Sequence, residues 1–121
     1  MEFIPSETIV SLSNPGVVSR QLLNPDNSCG ERVTITEVHV APGACQPRHL
    51  HESSEQIWYA LRGAGFLLLA DGTERPWQTG DVVRFAEGEI HGLRNDGGQE
   101  LVYLSVTAPP IHFGYAYGKK G

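Results

Sequence analysis

The stretch "GACQPRHLHESSEQIWYALRG" (Gly43–Gly63) carries the pattern on which the reading of this chain turns. His49 and His51 are separated by one residue, and in extended chain residues two apart share a face. Both imidazoles therefore point the same way and can grip one ion. Neutral imidazole is a common ligand for Zn, Fe, Ni and Cu, and a harder oxygen beside it suits Fe(II), Mn or Zn. Two oxygen donors follow side by side, Glu55 and Gln56. A third imidazole, His91, stands 40 positions beyond His51 in "EGEIHGLRN" (Glu87–Asn95), where a strand opens after a glycine turn.

The rest of the sequence supports short strands rather than helices. With 14 Gly and 8 Pro among 121 residues, breakers recur too often for a long amphipathic helix. "RVTITEVHV" (Arg32–Val40), "QIWYALR" (Gln56–Arg62), "FLLLA" (Phe66–Ala70), "DVVRFA" (Asp81–Ala86), "IHGLRN" (Ile90–Asn95) and "ELVYLSVTA" (Glu100–Ala108) are rich in β-branched, aromatic and aliphatic residues. Turns such as "RGAG" and "NDGG" between them supply residues that tolerate positive φ, as antiparallel hairpins require. Six or more such strands predict a sandwich or barrel, which closes or covers its edges. The first ~20 and last ~12 residues fit this pattern less well and are expected to be peripheral, wrapping the barrel or reaching a neighbouring subunit.

Composition narrows the function classes. The length is that of one domain, so a single domain over residues 1–121 is expected to build any site from one core. Nine Lys+Arg against 14 Asp+Glu give a net charge of −5, with no basic run before Lys119–Lys120, which argues against nucleic acid as a partner. The opening "MEFIPSETIV" has no basic or long apolar segment, and "FLLLA" is far too short to cross a membrane, so no membrane role and a cytoplasmic location are expected. Cys29 and Cys45 then read as reduced thiols.

The spacing in Gly43–Gly63 closely resembles the first motif of the cupin superfamily, G-x5-H-x-H-x3,4-E-x6-G. "GDVVRFAEGEIHGLRN" (Gly80–Asn95) resembles the second, G-x5-P-x-G-x2-H-x3-N, through Gly80, Gly88, His91 and Asn95, with Ala86 in the usual proline position. The resemblance covers residues 43–95 and implies a small single-domain cupin of the cupin 2 type. The implied fold is all-β, a double-stranded β-helix or jelly-roll barrel. It also implies a divalent metal held by two histidines and an acid from the first motif and a histidine from the second. Carried onto this chain, the histidines are His49, His51 and His91. Small cupins also resemble one another in pairing, so a homodimer is expected.

The oxygen ligand is contested between neighbours. Six residues separate Gln56 from Gly63 and seven separate Glu55 from it, so the motif's glycine count selects Gln56. Strand parity votes the other way, because Glu55 shares a face with Ile57, Tyr59 and Leu61, the more apolar set. A barrel strand can bury both faces, so the glycine count is preferred: Gln56 is the expected ligand, and Glu55 the expected outer carboxylate or catalytic base. Three imidazoles and an amide are all neutral, so an ion would keep its full +2 charge.

Trp58, Phe66 and Phe85 are expected to line a substrate pocket, with core packing as the plain alternative for each. Single histidines on a strand or tail are usually hydrogen-bonded surface groups, so His39 and His112 are not assigned as ligands. Arg48 and Arg84 read as surface residues, Cys45 as packing, and Asn95 as support for the turn after His91. The function expected is that of a metal-dependent enzyme using Fe, Zn, Mn or Ni on a small organic, aromatic or enolisable substrate. The reaction expected is dioxygenation or Lewis-acid isomerisation or cyclisation, with Glu55, His39 or a metal-bound hydroxide as base in the second route. The competing class is a non-catalytic module that binds a small molecule.

Overall fold

The computed structural model describes residues 1–111. It contains ten strands: β1 (Val10–Asn14), β2 (Val17–Leu23), β3 (Thr34–Val40), β4 (Cys45–His49), β5 (Glu55–Arg62), β6 (Ala64–Leu69), β7 (Glu74–Gln78), β8 (Val82–Phe85), β9 (His91–Arg94) and β10 (Leu101–Ala108). Two short 3-10 turns at Ser6–Thr8 and Ala70–Gly72 are the only helical pieces among the described residues, and none is long and apolar enough to cross a membrane.

The strands form a six-stranded sheet, β1-β2-β3-β10-β5-β8, and a four-stranded sheet, β4-β9-β6-β7. All pairs are antiparallel. Successive residues of a strand face opposite sides, so each contributes alternate side chains to the space between the sheets. Along β3 these are Thr34, Thr36, Val38 and Val40, and along β5 they are Gln56, Trp58 and Ala60. Leu67, Trp77 and Leu93 of the smaller sheet meet Val40, Trp58, Leu101 and Tyr103 of the larger in one buried cluster. Burying an aliphatic side chain of this kind contributes about 1.5–3 kcal/mol relative to leaving it exposed. The expected all-β, double-stranded β-helix architecture is thus present.

Two features differ from the sequence reading. The N-terminal segment is not peripheral from Val10 onward: β1 and β2 form a hairpin that extends the larger sheet, and Val17, Ser19 and Gln21 face inward. Its alternation is half polar, so it does not read as a core strand. Strands β4 and β7 each contain a proline, Pro47 and Pro76, and both lie at the edges of the smaller sheet. An edge is where a residue without an N–H donor costs least. Most of the expected peripheral C-terminal segment, with His112, lies outside the described residues.

Two glycines hold the strands that carry the histidines. Gly88 adopts φ +75° in the turn before β9, and its N–H donates to the His51 carbonyl at 2.8 Å, tying the second motif to the first. At Gly92 a Cβ would lie 2.7 Å from the Gln46 carbonyl oxygen and 3.0 Å from the Arg48 nitrogen, so only glycine lets β4 pass this close to β9.

Candidate metal centre and cavity

Each histidine arrives from a different local setting. His49 ends β4 and lies directly across from His91, the first residue of β9. His51 follows in the loop, and Gln56 reaches in from β5 of the opposite sheet. One ligand atom from each of the three imidazoles lies within 4.8 Å of the other two. The ring centroids are 4.4 Å (His49–His91), 5.0 Å (His49–His51) and 5.3 Å (His51–His91) apart.

Hydrogen bonds fix which nitrogens face the centre. His49 Nδ1 lies 2.8 Å from the Pro47 carbonyl oxygen, and His91 Nδ1 lies 2.8 Å from that of Glu89. A carbonyl only accepts, so each Nδ1 carries hydrogen and each Nε2 of the neutral ring is left with a lone pair. Burial, with the neighbouring His49 and His51, pushes His91 down to about 4, and burial together with His49 also lowers His51. Both imidazoles are therefore neutral at pH 7.

The Gln56 amide is oriented by chemistry alone. Trp58 Nε1–H, which can only donate, lies 3.2 Å from Gln56 Oε1, and Gln56 Nε2 donates to Thr107 Oγ1 at 3.0 Å. Exchanging the amide's O and N would oppose two donors at Trp58. Gln56 Oε1 then sits 3.2 Å from His91 Nε2, acceptor against acceptor. A buried pair of lone pairs at that distance is unfavourable unless a cation lies between them, and the low basicity of His91 disfavours a proton in that role. The donor set of three imidazoles and one amide oxygen therefore fits a divalent ion of the Zn, Fe, Ni or Mn type.

Aromatic rings support this centre from behind. Phe85 stacks on His91 at 4.4 Å with planes 11° apart, and Trp58 meets His91 edge-on at 5.4 Å. In front of the centre opens a cavity of about 580 Å³, lined by His49, His51, Gln56 and Trp58. That is the size of site used for small molecules. Asn95, fully buried, stabilises the turn after β9: Nδ2 donates to the Val40 and Gln99 carbonyls, and Oδ1 accepts from Gly97 N–H.

Other residues singled out from the sequence lie elsewhere. Glu55 is not brought to the centre: its carboxylate accepts from Arg84 Nε at 2.9 Å on the opposite face of β5. The apolar neighbours on that face, Ile57, Tyr59 and Leu61, are 36–42% exposed, so parity by hydrophobicity pointed Glu55 the wrong way. Phe66 is also away from the cavity and packs under the Arg94 guanidinium, 4.7 Å from its centroid. Phe85 lies behind His91 rather than on the cavity wall, so of the three expected pocket aromatics only Trp58 lines it. His39 faces outward between the carboxylates of Glu37 (2.7 Å) and Glu100 (3.2 Å).

The cavity also contains residues that the sequence reading passed over. Cys45, there read as packing, reaches its wall, and Tyr103 enters with its hydroxyl 2.7 Å from Gln46 Oε1. Ser19, Gln21, Thr36 and Ser105 line the side provided by β2, β3 and β10. The available signal was polar residues at inward-parity positions of otherwise apolar strands.

Known proteins resemble this chain in sequence or in structure. A protein of Methanocaldococcus jannaschii described as uncharacterized is 29% identical over 99 residues, covering 82% of this chain and 78% of its own. The oxalate-binding protein of Thermotoga maritima is 35% identical over 72 residues, covering 60% of this chain and 59% of that protein. The structure of the polyketide cyclase RemF from Streptomyces resistomycificus superposes with a TM-score of 0.77 at 27% identity, covering 91% of this chain and 80% of that one. Residues 36–107, from inside β3 to the penultimate residue of β10, match the family model described as Cupin_2, cupin domain. With both motifs on one antiparallel barrel and their three histidines around one point, the chain belongs to the cupin family.

Proposed function

We propose that the chain is a metal-dependent cupin enzyme that binds a divalent ion through His49, His51, His91 and Gln56 and carries out Lewis-acid isomerisation or cyclisation of a small oxygen-bearing substrate. The observation that carries this reading is the donor set of three imidazoles and an amide, with Gln56 Oε1 held 3.2 Å from His91 Nε2. A divalent ion without a carboxylate ligand retains its full charge, and so supplies strong polarisation of a carbonyl or acidification of a bound oxygen. The chain's own residues do the rest. Thr107 and Trp58 hold the amide, the Pro47 and Glu89 carbonyls hold the ring tautomers, and Phe85 shields the back of His91 from water. The likeness to a protein named as a polyketide cyclase supports cyclisation or isomerisation.

The test is deuterium exchange at the carbon beside the carbonyl of pyruvate, followed by NMR with Zn- or Ni-loaded protein. Exchange above that of free metal, lost in His91→Ala, is the expected result. O2 consumption by Fe(II)-loaded protein without exchange favours dioxygenation and overturns this route. The relative named as oxalate-binding supports a second reading, a binding module without turnover. Tight binding of oxalate with neither exchange nor O2 uptake would favour it.

A homodimer is part of the same proposal. The outer face of β5 and β8 exposes Ile57, Tyr59, Leu61 and Val82, the last at 64%. The charges flanking this strip are already paired within the chain, Glu55 with Arg84 and Arg62 with Glu100. A neutral apolar strip of this kind suits a second copy of itself better than a charged partner.

A further inference from the structure

The cavity wall facing the histidines is polar where a barrel interior is ordinarily apolar. Register places Gln21 beside Thr36, Thr36 beside Ser105, and Ser105 beside Trp58, one row across β2, β3, β10 and β5. Gln21, Thr36 and Ser105 are only 7%, 5% and 6% exposed, and all three line the cavity. Elsewhere in the same sheet the corresponding row is Val17, Val40 and Leu101.

These polar groups are not used up by the fold. Among the described residues the hydroxyls of Thr36 and Ser105 make no hydrogen bond. Gln21 Nε2 donates to the Ser19 carbonyl of its own strand at 3.3 Å, while its Oε1 accepts none. Buried polar side chains are otherwise almost always paired, so a row of three with spare capacity on a cavity wall points to a partner that enters the cavity. Residues directly opposite across neighbouring strands have Cβ atoms about 5 Å apart, close enough for their side chains to contact different hydroxyls of one chain-like molecule.

We propose that Gln21, Thr36 and Ser105 form the specificity edge of the substrate site and recognise the hydroxyl groups of a small polyhydroxylated acid or oxo-acid. Its anionic or carbonyl oxygens lie at the histidine end. The inference rests on the reading of the histidine centre as a ligand site and adds the class of molecule. The two hydroxyls give and accept hydrogen bonds and the amide oxygen accepts them, all without charge, which suits alcohols. A carboxylate belongs at the cationic end instead. Arg48 also lines the cavity, with its Nε and one terminal nitrogen donating to the Leu69 and Thr73 carbonyls and its positive charge adding to the attraction for a carboxylate.

The experiment is calorimetric binding of two six-carbon acids, D-gluconate and hexanoate, to Zn-loaded and metal-free protein. Elemental analysis of each sample is done alongside. Wild type is expected to prefer gluconate by about tenfold or more, the contribution of two buried hydrogen bonds. Thr36→Val with Ser105→Ala is expected to remove that preference while leaving hexanoate binding and thermal stability intact. Each single variant is measured too, in case the double variant does not fold. Equal binding of the two acids by wild type, binding of neither, or a preference that survives in the variants overturns the proposal. Failure to take up metal, with the preference retained and dependent on Thr36 and Ser105, overturns the metal reading and leaves this one standing.

Discussion

Replacing Thr107 by Val tests whether the Gln56 amide is held as described. The change keeps the side-chain shape and removes one oxygen, at a position only 1% exposed. Gln56 Nε2, itself on a residue 6% exposed, then loses its acceptor at 3.0 Å. The amide cannot turn over to compensate, since its nitrogen would meet the Trp58 N–H donor. A buried donor left unpaired costs about 1–3 kcal/mol. Urea unfolding of metal-free protein should therefore show Thr107→Val destabilised by ~1–3 kcal/mol with an unchanged slope. In a Gln56→Leu background the same change removes a hydroxyl whose partner is already gone, so its cost should fall by ~1 kcal/mol or more, the coupling expected of residues in contact. A Thr107→Val protein within ~0.5 kcal/mol of wild type, or one that loses the same amount in both backgrounds, would refute the reasoning.

Three further outcomes follow from the same structure. Gly92→Ala places a Cβ 2.7 Å from the Gln46 carbonyl and forces β4 away from β9, so it should cost ~1–3 kcal/mol in urea unfolding and weaken metal uptake as His49 leaves His91. The Glu37 carboxyl is held below its usual range, first by the hydrogen bond with His39 and then by Arg20, so its contribution to stability is present above about pH 4.5 and lost as pH falls. Urea midpoints across that acid range should be flatter for Glu37→Gln than for wild type. Tyr59→Lys on the exposed face of β5 should shift the mass measured by light scattering from dimer toward monomer without changing metal content.

The sequence carried the centre more fully than its surroundings. His49, His51 and His91 were legible because the ligand spacing of a barrel is local in each motif, one on β4 and its loop and one at the start of β9. The choice between Glu55 and Gln56 shows where pattern misleads. The outer face of β5 is apolar and exposed, while the inner face carries Gln56 beside Trp58, so hydrophobicity alone inverts the strand. Strands β4 and β7 escaped a search for β-branched runs because an edge strand tolerates Pro47 and Pro76. The polar row of Gln21, Thr36 and Ser105 was hidden for a related reason. Only the register between distant strands shows that three unremarkable polar residues share a wall.

The most direct test of the central claim is metal stoichiometry by equilibrium dialysis with Zn or Ni, read by elemental analysis for wild type and for His49→Ala, His51→Ala, His91→Ala and Gln56→Ala. The account predicts one ion per wild-type chain, a large loss of affinity in every histidine variant and a smaller loss for Gln56→Ala. Undiminished binding in the histidine variants, or no binding by the wild-type protein, would contradict it.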